Sequence, residues 1–127
     1  MGKSITGICQ KRLDDRWVTI SDKPSLFKGF KNSAYFSFLL DEMNYLDLND
    51  DAVNDLVNES RWIDSITQLT GIGFSEPGFL TLEELIDLKQ DRNNPHPALH
   101  NRLIRDLIKL CGSCDYKDIR IVFVCDY

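Results

Sequence analysis

The feature that most constrains this chain is its end. From Asp118 to Tyr127 it runs DIRIVFVCDY, with Ile119, Ile121, Phe123 and Cys125 on one face of a strand. Val122 and Val124 make the other face mostly apolar as well, which is the pattern of a central strand, not of an edge. A core that needs these last residues depends on the whole length, so residues 1–127 are expected to form a single domain. The strand fixes architecture and carries no chemistry.

Composition admits such a core. At 127 residues, with 43% hydrophobic and 28% charged, the chain has the size and balance of one globular domain, not of a disordered segment. Its purely apolar runs are only a few residues long, far below the roughly 20 needed to span a bilayer, and the N-terminus lacks the apolar stretch of a secretory signal. A cytoplasmic protein without membrane association is expected. In that setting Cys9, Cys111, Cys114 and Cys125 are expected to be reduced, with Cys9 and Cys125 as small core residues among apolar neighbours.

Charge is unevenly divided. Residues 1–31 hold Lys3, Lys11, Arg12, Arg16, Lys23, Lys28 and Lys31 against three Asp, a local balance of +4, whereas the rest of the chain carries −9 and the whole −5. An acidic whole argues against general nucleic-acid binding, which uses a basic face. The basic corner suits either the solvated ends of an edge hairpin or a small anion.

Local signals give the order of elements. Ser4 to Arg12 and Arg16 to Ser21 alternate as strands around an Asp14-Asp15 turn. Asn32 or Ser33 can cap a helix whose stripe is Phe36, Leu39, Leu40 and Met43, and Asn49 with Asp50 and Asp51 opens a short one through Ala52, Val53, Leu56 and Val57. Residues 60–80 read as a short helix followed by a shaped loop, because Gly71, Gly73, Pro77 and Gly78 interrupt the period of Trp62, Ile63, Ile66 and Leu69. Thr81-Leu82-Glu83-Glu84 is a capping box. Asn94-Pro95 opens a longer helix, with Leu99, Leu103, Leu107 and Leu110 on one side and Gly112 as its stop. Together these predict an α+β domain: a small antiparallel sheet containing the N-terminal hairpin and the C-terminal strand, with helices mainly on one face.

Four of these landmarks carry a resemblance. Trp17 on its strand, Tyr35-Phe36-Ser37-Phe38-Leu39-Leu40, Gly78-Phe79-Leu80-Thr81-Leu82-Glu83-Glu84-Leu85 and Ile119-Arg120-Ile121-Val122-Phe123-Val124-Cys125-Asp126-Tyr127 follow one another as in a family of small tailed-phage and prophage proteins. That family is similar in its Tyr-x-x-Phe helix, its Leu-Thr-Leu helix start and its closing Val-Arg-Ile-Val-Phe strand. Its arginine before the tyrosine helix falls here at Ser33, and its histidine ahead of Leu-Thr-Leu falls at Phe74, so no charge or acid-base role passes to either position. The resemblance implies a phage origin and the cytoplasm of a bacterial host.

Motifs for catalysis are sparse. Asp14 with Asp15, Asp50 with Asp51 and Glu83 with Glu84 are each explained by a turn or a helix start, and neither a Gly-x-Ser-x-Gly elbow nor a phosphate loop occurs. Cys111-Gly112-Ser113-Cys114 has redox spacing but follows a helix, where the dipole does not favour a thiolate. Joined by His96 and His100 it has zinc-like spacing, yet about 16 Å of intact helix would part His100 from Cys111. No cofactor is called for.

Basic and aromatic residues do mingle. Arg16-Trp17, Lys28, Lys31, Tyr35 and Arg61-Trp62 could offer ring faces to a base and cations to a phosphate, although Trp17 and Tyr35 equally suit a core. With the phage resemblance, the expectation is a non-enzymatic binding protein that counteracts host defence by sequestering a small, cyclic or linear, nucleotide messenger, as a homo-oligomer. An acidic inhibitor that binds a host protein through the surface from Asp41 to Asp64 is the alternative, and a zinc-dependent or hydrolytic enzyme the second.

Overall fold

Asp14 and Asp15 both take positive φ, 50° and 63°, the backbone of a two-residue hairpin turn that matches the twist of its strands. They close β1 (Ile5–Leu13) onto β2 (Arg16–Thr19), with Leu13 opposite Arg16 and Arg12 opposite Trp17. In this computed structural model residues 5–27, 32–59 and 75–125 are described. Along them follow α1 (Ser33–Glu42), β3 (Asn44–Tyr45), α2 (Asp51–Glu59), β4 (Gly78–Thr81), α3 (Leu82–Asp87), α4 (Pro97–Cys111) and β5 (Ile119–Cys125). The α+β class expected from the sequence is the class observed.

The sheet runs β2-β1-β5-β4-β3, every pairing antiparallel. β5 is its middle strand, and all of its residues are buried. Its alternation divides the core in two. Ile119, Ile121, Phe123 and Cys125 face α1, α3 and α4, whereas Val122 and Val124 with Ile8 face Ala52, Val53 and Leu56 of α2. Among the described residues three helices thus share one face and one short helix covers part of the other.

Glycine makes room at one point on the larger face. Gly7 and Gly78 flank Phe123 from the two neighbouring strands. A Cβ on Gly7 would run into the Phe27 ring, and one on Gly78 into Met43 and the Asn44 carbonyl. The missing side chains let Phe27 and Met43 close over the sheet beside the phenylalanine.

Helix ends follow the expected chemistry with some shifts. Asn32 Oδ1 accepts from the Tyr35 amide at 3.0 Å, and Thr81 with Glu84 forms the reciprocal capping box. Helix α4 begins two residues later than Asn94-Pro95 suggested, because Pro97 takes the first turn and the His96 ring, not a serine-type side chain, accepts from the Leu99 amide at 3.1 Å. Its end is Gly112, at φ 62°. The larger difference lies at Gly78–Leu80, residues that the sequence reads as loop but that with Thr81 form a strand between β5 and β3. The short helix expected at the start of residues 60–80, and the loop as far as residue 74, lie outside the described residues. No helix among the described residues is long and apolar enough to cross a membrane.

Candidate anion-binding site at Trp17 and Arg120

Parity on the strands places a second set of side chains beside the patch that α2 covers. Gln10 pairs with Arg120 on one side and Thr19 on the other, and Arg12 lies opposite Trp17. Gln10, Arg12, Trp17, Thr19 and Arg120 therefore share the α2 face, as does Phe79, paired with Val122. Arg120, the second residue of a strand that is otherwise apolar, is only 4% exposed.

The guanidinium of Arg120 stacks between two rings. Its central carbon lies 4.2 Å from the centroid of Trp17 and 4.8 Å from that of Phe79. Nε and Nη2 both donate to Gln10 Oε1, at 3.0 and 2.8 Å. Among the described residues no carboxylate lies within ion-pair distance of it. Burial disfavours its charge, Asp50 favours it from farther away, and Arg12 opposes it.

Arg12 is the reachable partner. Its guanidinium stands 5.2 Å from the Trp17 centroid, and its Nε lies 3.4 Å from Asp118 Oδ1 in a largely solvated pair. A shallow concavity of about 500 Å³ opens from Arg12 along Asp14, Asp15, Asp115, Lys117 and Asp118. Arg12 thus stands where the aromatic stack meets an open polar surface.

The sequence-based set is only partly assembled. Trp17 is at the cluster. Arg16, its neighbour along the strand, projects from the opposite face of the sheet, because side chains alternate. Tyr35 is fully buried in the core on that opposite side, and its hydroxyl is taken by His100 Nδ1 at 2.7 Å, so it offers no ring face to a ligand. Lys28, Lys31, Arg61 and Trp62 lie outside the described residues. The pattern had missed Arg12, Gln10, Phe79 and Arg120. A charged residue inside a strand apolar on both faces was the available signal for Arg120.

The histidine and cysteine set does not converge. His96 caps α4, while His100 Nε2 donates to the Leu85 carbonyl at 2.6 Å and accepts from Tyr35 at its other nitrogen. Burial holds the ring's pKa below the usual histidine value, and in the neutral ring the Leu85 carbonyl keeps the proton on Nε2 and leaves Nδ1 to accept. The helix is unbroken from Pro97 to Cys111, which keeps the cysteines at its far end. Contrary to the reduced state expected, Cys111 and Cys114 form a disulfide: the turn at Gly112 brings their Cα atoms to 5.3 Å. Cys9 and Cys125 are buried thiols, and burial pushes the Cys9 thiol up to about 12. Among the described residues no three metal-ligating side chains form a group.

Compared with known protein families, with curated proteins and with solved structures, the chain has no match.

Proposed function

We propose that the protein is a non-enzymatic binder of a small phosphate-bearing ligand, a linear or cyclic nucleotide, at Trp17, Arg12 and Arg120. The observation that carries the reading is the buried guanidinium of Arg120, with two aromatic rings and a neutral amide around it but, among the described residues, no close carboxylate. Taking such a cation out of water costs several kcal/mol, whereas each exposed ring contact returns about 0.5–1 kcal/mol, rising to about 2 where water is excluded. A phosphate against Arg12, above this field, would relieve the remaining deficit, and the partly exposed Trp17 ring offers a base a stacking surface. In the phage setting implied by the resemblance, such binding would withdraw a messenger on which host defence depends.

Calorimetry with nucleoside mono-, di- and triphosphates, cyclic dinucleotides and the parent nucleosides tests the reading. Heat with the phosphorylated compounds, weakened by salt and lost in Arg12→Ala and Trp17→Ala, is expected. Equal signals from nucleosides, or none from any nucleotide, would sink it. Native mass spectrometry on the same protein reads the subunit number of the proposed oligomer.

A second reading has its own support. From Asp41 to Glu59 the chain holds seven acids and no lysine or arginine; Asp41, Glu42, Asp47 and Asp51 are exposed, as is Tyr45, 71% exposed at the β3 edge. Such a surface suits the basic face of a host protein. Asp50 and Asp55 are poor probes of it, because one accepts from the Ala52 amide and the other from Thr19. Asp41→Asn with Glu42→Asn and Asp51→Asn should release a captured partner; capture unchanged in that triple variant counts against the surface.

A further inference from the structure

Arg120 is held by more than its rings. Gln10 Oε1 receives both of its hydrogen bonds, Gln10 Nε2 donates to Thr19 Oγ1 at 3.2 Å, and Thr19 donates to Asp55 Oδ2 at 2.6 Å. Each role in this chain is forced. Asp55 as a carboxylate can only accept, so the threonine proton points to it and the threonine oxygen is left to receive the amide. The amide is thereby turned with its oxygen toward the guanidinium; the flipped amide would set its NH₂ against two arginine donors. Four residues on four elements, α2, β2, β1 and β5, form a directed line from an anion to a cation.

We propose that Asp55, Thr19 and Gln10 are positioning residues for this site: they hold Arg120 by its Nε–Nη2 edge and leave Nη1 uncommitted, so that the site is formed only while α2 lies on the sheet. Nη1 donates to no described residue, which fits an edge kept for a ligand. The line also spans the chain's two charge regions, since Asp55 belongs to the acidic stretch and Gln10 and Thr19 to the basic hairpin. A partner gripping the acidic helix would therefore be felt at Arg120. The binding part of this inference rests on the anion-site reading; the orientation part does not.

The test uses the full chain with Trp62→Phe, which leaves Trp17 as the sole tryptophan. Thr19→Val removes both the donor and the acceptor at the centre of the line, Asp55→Ala removes its anchor from another element, and Thr19→Ser restores the hydroxyl. Trp17 emission reports the guanidinium on its ring without any ligand. Thr19→Val and Asp55→Ala should shift that emission in the same direction and raise the Kd for AMP about tenfold, the effect of one charge-assisted contact, while Thr19→Ser keeps both parental values. If Thr19→Val does not fold, Asp55→Ala decides alone. Unchanged emission in a folded Asp55→Ala overturns the relay, as does an AMP affinity equal to the parent's. Absence of AMP binding in the parent itself overturns the ligand reading, and the emission shift still decides the orientation.

Discussion

The two faces of one sheet solve the same problem in different ways. On the face under α1, α3 and α4 the central buried polar pair is neutral and closed: Tyr35 donates to His100, and His100 to the Leu85 carbonyl, all within the core. On the α2 face the central polar group is a cation whose partners are two rings and an amide, with an exposed arginine beside it. Both sets rise from alternating residues of the same strands. A closed neutral pair adds order to a core at little cost, whereas an incompletely compensated buried charge carries a desolvation cost. The first face reads as structure, and the second is where we propose the site.

Perturbing each face should separate stability from binding. The largest effect is expected from Phe36→Ala under the three helices, a loss of about 3–5 kcal/mol by urea unfolding, since it opens a cavity in fully buried packing. A loss below about 1 kcal/mol would show that this face is looser than the structure implies. Tyr35→Phe should cost about 1–3 kcal/mol, because the buried His100 Nδ1 is left without its donor. A neutral outcome would mean that the pair contributes no stability.

Acid offers a graded version of the same contrast. The folded protein holds His100 neutral below its usual pKa, so beneath about pH 6.5 the unfolded chain binds a proton that the folded chain refuses. Its contribution is complete above that pH and is lost as pH falls toward the folded value. Urea midpoints at pH 7.5 and 5.5 should fall with acid, and less steeply in His100→Gln; equal slopes would remove His100 as the cause. The smallest change in stability is expected from Arg12→Ala, within about 0.5 kcal/mol, because its pair with Asp118 is solvated. If that variant unfolds readily while nucleotide binding persists, the two faces have been assigned the wrong way round.

Much of the fold was legible locally. The Asp14-Asp15 turn, the Asn32 cap, the Thr81 box, the Gly112 stop and the central β5 each rest on a few adjacent residues whose backbone or period admits little else. β4 was not legible: Gly78 there reads as a loop former, and its reason, clearance for Met43 beside Phe123, lies across the sheet. The α4 start was blurred by two prolines near each other, and only the His96 cap selected Pro97. At the site, Trp17 was visible as an aromatic beside a cation, but its neighbour in sequence, Arg16, is not its neighbour in space.

By itself the sequence determined the class, the hairpin, the helix ends other than the α4 start, and the strand at the centre, because those follow from periodicity and from backbone preferences acting over a few residues. Tertiary structure alone decided which charges meet. Arg12, Trp17 and Arg120 come together across a register of three strands, and Asp55 joins them from a helix packed on the same face. It also moved Tyr35 into the core. Side-chain parity along a strand is written in the chain, but the register between strands depends on the fit of the whole core, and the site is built on that register.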